Sequence, residues 1–342
     1  MNNTQSIKIL GIDLAKSIFQ LHGNDQDGHC VLSKRLTRSK LAEFLATLPR
    51  CIVAMEACGS AHHWGRKFRE YGHEVKLIAP QFVKPYVKGN KNDMQDAEAI
   101  AEAASRPTMR FVGIKSVEQQ EIQSIHRVRE RLVRDRTALG NQIRGILQEY
   151  GIIFNEGLHH LRRELPQMLS MADSGLGVRT CALIQDLVSE LLRLDERIGY
   201  YEHEIKTVSR DSELCQRLEG IPGIGPITST ALIASVGDAR VFKNGREFAA
   251  FLGLVPKQRS SGGRSLLLGI SKRGDGYLRK LLVHGARSVV SHNGRRLDKD
   301  RRSQWISSLE ERRGMNRTAV ALANKNARIA WALMVSGAQY RQ

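Results

Sequence analysis

The alternation of short apolar runs over the first 80 residues constrains the fold of this chain most strongly. These runs predict strands at residues 6–13, 17–23, 28–36, 51–57 and 74–78. Helices are predicted at residues 37–48, where Thr37 is a suitable N-cap, and 60–71. A meander of three strands followed by alternating helix and strand predicts an α/β domain with a mixed sheet.

This order of elements resembles that of ribonuclease H-like domains.

Four acids stand at the ends of these predicted elements. Asp13 and Glu56 each close an apolar strand, and Asp93 and Asp96 open a helix predicted over 93–105. Acids three residues apart on a helix project from one face. Four converging carboxylates repel one another unless a cation binds, and Mg²⁺ prefers carboxylate oxygens. The pattern predicts a site for two Mg²⁺ ions that act on a phosphodiester.

Part of this acidic pattern also has a simpler structural explanation. Asp93 and Asp96 alone could be an acid near a helix N-cap and a solvated acid. Their occurrence together with Asp13 and Glu56, at the ends of two core strands, favours the metal site. The nearby acids that we expect to face solvent are Glu98 and Glu102.

The charge distribution indicates a polyanionic partner. The chain of 342 residues has a net charge of +18, and residues 259–342 carry 18 Arg or Lys against 5 acids. Such a surface suits nucleic acid or a membrane surface. No run approaches the ~20 apolar residues of a membrane-spanning helix, and the N-terminus lacks the apolar core of a signal peptide. We therefore expect a cytoplasmic protein that binds nucleic acid.

The five cysteines do not form a recognisable framework. Their number is odd and no C-x-x-C spacing occurs, which argues against paired disulfides and a zinc ribbon. Cys58, His62 and His63 could outline a metal site, but no fourth ligand is evident.

Two long stretches in the middle of the chain have helical spacing. Apolar residues recur at helical intervals over 116–150 and over 181–208. They predict an antiparallel or dimerising coiled segment, or two core helices of a bundle. The arginines of the first helix that we expect to bind nucleic acid are Arg127, Arg131 and Arg134. The resulting predicted domains are residues 1–112, 113–210 and 211–342.

The C-terminal part, predicted to be mainly helical, contains a glycine-rich turn. Residues 220–225 resemble a helix–hairpin–helix turn, ahead of a helix predicted over 227–236. Gly223 and Gly225 would let backbone N–H groups approach a phosphate, although a plain tight turn would also need glycines.

A serine–glycine segment follows. Ser260 and Ser261 precede two glycines, and a serine becomes a nucleophile only with a base or metal and with cations on the phosphate. The cations that could serve are Arg259, Arg264, Lys272 and Arg273. A flexible loop is the competing explanation for the segment.

A tyrosine recombinase is a further alternative. His284 and Arg287, with Tyr340 near the C-terminus, would suit that class, but it has no use for the N-terminal acids. We expect His284 to be packed in a helix over 277–291.

These motifs together resemble the DEDD (RuvC-like) insertion-sequence transposases, relatives of the Piv and MooV DNA invertases, over nearly the whole chain. The matching N-terminal segments are residues 11–16, 55–57 and 92–97. The matching C-terminal segments are residues 221–225, 248–256, 261–262 and 270–274. Residues 267–275 resemble the "eleven-eleven" subgroup of the "one-ten" family.

This resemblance implies a mechanism. The acids would bind Mg²⁺, and Ser261, or alternatively Ser260, would attack DNA to give a phosphoserine intermediate. The RuvC-like domain of one subunit would meet the serine domain of another in a dimer or tetramer. A structured noncoding RNA (a bridge RNA) would pair with donor and target DNA. The alternatives are an invertase without guide RNA and a RuvC-like structure-specific endonuclease.

Overall fold

The computed structural model describes residues 6–89, 92–170, 175–294 and 300–341. The chain divides into two compact units. The first comprises residues 1–119 and 236–243, and the second comprises residues 120–235 and 244–342. The predicted three-part division, with 113–210 as a separate segment, stays a prediction.

The first unit is built on one mixed sheet. Its strands are β1 (Ile9–Asp13), β2 (Ile18–Asn24), β3 (Cys30–Thr37), β4 (Ile52–Glu56), β5 (Glu74–Ile78) and β6 (Phe111–Val112). Their order across the sheet is β3-β2-β1-β4-β5-β6. The first three strands form an antiparallel meander, β1, β4 and β5 run parallel, and β6 is antiparallel to β5. The predicted mixed α/β sheet is confirmed.

Helices cover both faces of this sheet. They are α1 (Arg38–Thr47), α2 (Ala61–Glu70), α3 (Pro80–Val83) and α4 (Asp93–Ser105), with a 3₁₀ turn at Lys84–Tyr86. Alternate strand residues point to opposite faces. Leu10 and Ile12 therefore pack into the core that contains Trp64 and Phe68 of α2. Ala54, on the opposite face, packs in the core formed with α4.

Helix α4 lies unusually close to β1. A Cβ atom at Gly11 would lie 2.7 Å from the backbone nitrogen of Ala101 and closer still to the carbonyl oxygen of Ala97. Only glycine allows backbone to approach backbone in this way. Gly11 thus fixes where α4 crosses the sheet.

The second unit is mainly helical, as predicted for the C-terminal part. Its helices before the hairpin are α5 (Val117–Gln148), α6 (Leu158–Ser170), α7 (Val178–Arg210), α8 (Glu213–Glu219), α9 (Pro226–Val236) and α10 (Gly245–Phe251). The hairpin strands are β7 (Pro256–Ser261) and β8 (Arg264–Ile270). The last helices are α11 (Gly276–Asn293), α12 (Arg301–Arg313) and α13 (Met315–Ser336). No helix in the described ranges combines the length and apolar character needed to cross a membrane.

The two long helices pack as an antiparallel pair. The pairs Arg129–Glu202 at 2.5 Å and Arg136–Asp195 at 3.1 Å join α5 to α7, with residue numbers rising on one helix and falling on the other. Helix α6, which was not predicted, adds buried leucines to their shared core. The two helices therefore run antiparallel, while a coiled coil and dimerisation through this segment stay predictions.

Candidate functional site

Two of the predicted acids emerge side by side from the sheet. Strands β1 and β4 are parallel, and Ile12 is paired with Met55 immediately before Asp13 and Glu56. Carboxyl ends of parallel strands meet at one edge. Since side chains alternate, Asp13 points to the same face as Gly11, which is the face covered by α4.

Helix α4 brings the other two acids to this edge. Asp93 precedes Ala97 by four residues and shares its helical stripe, the one that lies on Gly11. Asp96 is close enough to Glu56 for its charge to act on it. The helix starts at Asp93 because the Asn92 side chain caps it, accepting a hydrogen bond from the backbone N–H of Met94 at 3.1 Å.

The electrostatics of this edge indicate mutual repulsion. Burial, followed by the negative charge of Asp96, raises the pKa of Glu56. Burial also raises the pKa of the Cys58 thiol, and the charges of Glu56 and Asp13 raise it further. Both shifts favour the uncharged form, and a bound cation would reverse them. The chemistry of these side chains fits a divalent metal, for which Asp13, Glu56, Asp93 and Asp96 could serve as oxygen ligands.

The charge of Asp96 acts on Glu56, but the four acids do not form a tight cluster in the described part of the chain. Over the described ranges, the one group of three metal-binding side chains whose ligand atoms lie within 4.8 Å is Asp25, Asp27 and His29 in the β2–β3 turn. The carboxylate of Asp25 accepts hydrogen bonds from the backbone N–H groups of Asp27 at 3.0 Å and His29 at 2.9 Å. These hydrogen bonds stabilise the turn.

Two nearby acids are engaged elsewhere. Lys88 lies 3.5 Å from Glu98 and 3.1 Å from Glu102, and Arg106 lies 2.6 Å from Glu102. These ion pairs lower the pKa of Glu102, chiefly through the hydrogen bond from Lys88.

The alternative metal site at Cys58 does not form in the described part of the chain. His62 and His63 are not grouped with Cys58 at metal-binding distance. The Nδ1 atom of His62 accepts a hydrogen bond from the backbone N–H of Lys115 at 3.2 Å, and the ring of His63 packs on Trp64.

The serine–glycine segment forms the tip of the β7–β8 hairpin. Ser261 is paired with Arg264, and Gly262 and Gly263 connect the strands with φ angles of +55° and +78°. Two successive residues with positive φ make the tight turn typical of two-residue hairpins, which explains both glycines. In the structure this segment is an exposed two-stranded hairpin.

The two serines lie on opposite faces of this hairpin. Ser261 shares its face with Arg259, two residues earlier, and with Arg264 directly opposite. Ser260 shares the other face with Gln258, whose Nε2 atom donates a hydrogen bond to its Oγ atom at 2.8 Å. Two guanidinium groups thus lie beside Ser261, where they could neutralise a phosphate.

Lys272 and Arg273 are exposed directly after the hairpin. Lys272 has a φ of +55°, rare for a residue with a side chain, and its backbone N–H donates to the carbonyl oxygen of Gly253 at 3.1 Å. This turn holds the base of the hairpin against the end of α10.

The glycine-rich turn between α8 and α9 contacts residues of α11, α12 and α13. Gly223, with a φ of +94°, packs directly on Gly285 of α11. The carbonyl oxygen of Pro222 accepts hydrogen bonds from Arg302 at 3.1 Å and Asn326 at 3.0 Å. A Cβ atom at Gly225 would meet nothing within 4 Å. The helix–hairpin–helix assignment, with phosphate contacts at Gly223 and Gly225, stays a prediction.

Two residues of the tyrosine-recombinase alternative are now located. The hydroxyl oxygen of Tyr340 accepts a hydrogen bond from Arg302 at 2.9 Å. His284 is exposed on α11, so the expectation that it is packed in the helix is wrong. His284 is two residues from each of the buried residues Leu282 and Ala286, which places it on the solvent-facing side of α11.

The arginines of α5 have different structural roles. Arg129 and Arg136 form the ion pairs with α7, and Arg131 pairs with Asp135 of its own helix at 2.8 Å. Arg127 and Arg134 are exposed. The sequence could not separate these groups, because the pairing depends on the register between two helices.

Comparison with known proteins identifies the family. One transposase model, of the DEDD type, matches residues 10–152, and a second, the transposase IS116/IS110/IS902 family, matches residues 215–301. A probable family 20 transposase of Pseudomonas aeruginosa is 53% identical over 97% of this chain and 98% of its own. The chain belongs to the IS116/IS110/IS902 family of transposases.

Other relatives of this transposase agree. The transposase for insertion sequence element IS1111A of Coxiella burnetii is 51% identical over 98% of this chain and 92% of its own length. The transposase for insertion sequence element IS1328 of Yersinia enterocolitica is 44% identical over 97% of this chain and 98% of its own length. The transposase described here is therefore an enzyme that cleaves and rejoins DNA, and DNA is its partner.

Proposed function

We propose that this transposase exchanges DNA strands through a covalent bond between Ser261 and the DNA. The arrangement of the hairpin carries the proposal. Ser261 stands exposed at the tip of β7, with Arg264 opposite and Arg259 on the same face. Cations fixed beside a nucleophile stabilise the charge that develops on an attacked phosphate.

The acids of the first unit provide the second half of the chemistry. Mg²⁺ bound by Asp13, Glu56, Asp93 and Asp96 would neutralise charge on the phosphate oxygens. The raised pKa of Glu56, caused by burial and by Asp96, supports this assignment because the carboxylates crowd one another without a cation.

The proposed step replaces one phosphate ester bond with another. The Oγ atom of Ser261 loses its proton and bonds to phosphorus, and the bond from phosphorus to the 3′ oxygen breaks. The leaving 3′ oxygen takes up a proton. The DNA fragment that keeps the phosphate at its 5′ end stays joined to Ser261. A 3′ hydroxyl of the exchanged strand then reverses the reaction, so no external energy is needed.

We propose further that a structured noncoding RNA guides the choice of DNA. The exposed arginines Arg127 and Arg134 on α5, together with the basic C-terminal part, offer backbone contacts that do not depend on sequence. The alternatives are an invertase that needs no RNA and a junction-cleaving endonuclease.

A strand-exchange assay on element ends tests this function. The wild type should produce recombinant DNA with added Mg²⁺. Ser261→Ala and Glu56→Gln should each abolish the product, while Ser260→Ala should retain it. Cleavage of four-way junctions that survives Ser261→Ala would instead establish the endonuclease. RNA recovered from the purified protein should match DNA flanking the gene, and its absence would support the invertase.

We propose that the active protein is an oligomer. If subunits contribute different groups, an equal mixture of Glu56→Gln and Ser261→Ala proteins should recover part of the activity that each lacks. A mixture as inactive as its components would contradict this sharing.

A further inference from the structure

A groove in the C-terminal part has the composition of a nucleic-acid site. It has a volume of about 1060 Å³ and lies between α10, α12 and α13. Two indoles, Trp305 and Trp331, line it. Among the residues that the structure describes, its lining has four cations, Arg246, Arg317, Lys325 and Arg328, and no carboxylate. We call it the tryptophan groove.

The cations of the tryptophan groove are available to a ligand. Arg246, Arg317, Lys325 and Arg328 are all exposed. Over the described ranges, none of the four has a carboxylate within ion-pair distance, although other arginines of the unit are paired. Arg317 and Arg328 are eleven residues apart on α13, about 16 Å along the helix axis. This length matches several consecutive phosphates.

The indoles add a surface on which a base can stack. Trp305 is half-buried, so it is held in place while part of its ring faces the groove. The ammonium group of Lys325 lies 4.7 Å from the centroid of the Trp305 ring. An aromatic ring beside cations is the arrangement by which proteins bind unpaired nucleotides, because stacking needs a base face that a duplex hides.

The groove adjoins the hairpin that carries Ser261. Pro256 and Ile270, which are paired at the base of the hairpin, both line it. Ser261 is five residues beyond Pro256, or about 17 Å along an extended strand. A strand seated in the groove could therefore continue along the hairpin to the serine.

We propose that the tryptophan groove binds an unpaired stretch of nucleic acid, with bases stacked on Trp305 and Trp331 and phosphates on the four cations. This inference rests on the proposed function, since the bound strand would belong to the nucleic acid on which Ser261 acts. The sources of such a strand are displaced DNA and a loop of RNA, which share this chemistry.

Photo-crosslinking of the full-length transposase tests the groove. The probes are an oligothymidylate of about 12 nucleotides, within the site sizes of single-strand sites, carrying 5-iododeoxyuridine, the matching oligouridylate with 5-iodouridine, and a duplex of equal length. Peptide mapping should place adducts with the unpaired probes on Trp305 or Trp331. The stronger of the DNA and RNA signals identifies the source. Adducts only outside α10, α12 and α13, or equal adducts from the duplex, would overturn the proposal.

Affinity measurements with these probes provide a second test. Trp305→Ala should weaken binding by roughly tenfold, the scale of losing one stacked base, and Trp305→Phe should lose less. Arg313→Ala, at an exposed position outside the groove, should bind as the wild type does. Unchanged affinity in Trp305→Ala would refute the stacking.

Lys325→Gln keeps the test decisive if Trp305→Ala fails to fold, because Lys325 is exposed. It should reduce the slope of log affinity against log salt by about 0.7, the value for one phosphate of a single strand. An unchanged slope would argue against the groove. Crosslinks at Trp305 in a protein that forms no serine adduct would leave the groove standing and reject the proposed function.

Discussion

Replacing Gly11 with alanine tests whether the contact between β1 and α4 sets the positions of the acids. The added Cβ atom would lie 2.7 Å from the backbone nitrogen and 2.9 Å from the Cβ atom of Ala101, whereas ordinary contact begins at 3.4 Å. Helix α4 must then move away by roughly 0.7 Å or more, since neither partner is a flexible side chain. Such overpacking costs about 1–3 kcal/mol of unfolding free energy.

The same displacement should also impair catalysis. Asp93 and Asp96 move with α4, while Asp13 and Glu56 stay on the sheet. Misplacement of reacting groups by about 1 Å can cost on the order of 10²-fold in rate. We therefore expect Gly11→Ala to remain folded at low temperature but to exchange strands about 100-fold more slowly.

Denaturant unfolding and strand-exchange rates at several Mg²⁺ concentrations measure both effects. Gly59→Ala is the matched control, because a Cβ atom there meets nothing within 4 Å and the residue is in the same unit. Gly59→Ala should match the wild type in unfolding free energy. If Gly11→Ala also matches the wild type in stability and rate, α4 does not position the acids in the way described.

Three other outcomes follow from the second unit. Burial lowers the pKa of His126 to about 4 from 6.5, and its ring nitrogens contact Tyr277 and Thr230 at 3.0 Å. Its neutral form gives stability that is complete above pH 6.5 and is lost by roughly 3 kcal/mol as the pH falls through 4. Denaturant unfolding should show a smaller pH dependence in His126→Gln, and an equal dependence would exclude this histidine as the cause. Gly285→Ala should lower the melting temperature, because its Cβ atom would lie 2.9 Å from the carbonyl carbon of Gly223; an unchanged melting curve would show that the contact relaxes freely. Arg264→Gln should reduce strand exchange at least tenfold without changing the melting temperature, as expected for a charge that acts on the phosphate, and full activity would remove this residue from the mechanism.

Local chemistry explains which elements the sequence predicts. Helix α4 has the bounds predicted for it, Asp93–Ser105, and the Asn92 cap and the Arg106–Pro107 stop that set these bounds are both local. Strand β5 was also predicted at its observed bounds. The pairing of the first three strands follows from the order of elements, since meander strands pair with their neighbours, whereas the place of β4 beside β1 is a tertiary contact that was not predicted.

The elements that the sequence missed lack such signals. Helix α6 contains Pro166, which argues against a helix interior. Strands β7 and β8 are exposed along most of their length, so they show no alternation of buried and exposed residues. Serines and glycines are also poor strand formers, and the hairpin became visible only through its cross-strand pairing.

The candidate site likewise has features that the sequence predicts and features that depend on tertiary contacts. The positions of Asp13 and Glu56 at strand ends follow from apolar runs that are visible in the sequence. The crossing of α4 over Gly11 is a tertiary contact that the sequence does not show. Arg302 supports the Pro222 carbonyl oxygen from 80 residues away, and no local pattern indicates it.

Mass spectrometry of the protein trapped on its DNA tests the central claim most directly. Wild-type transposase is incubated with Mg²⁺ and a suicide DNA substrate that cannot rejoin, then digested to peptides and short nucleotides. The account predicts a phosphodiester between the DNA and Ser261, absent from Ser261→Ala and unchanged in Ser260→Ala. A nucleotide bonded to Ser260 or another residue, or strand cleavage with no covalent adduct, would contradict it.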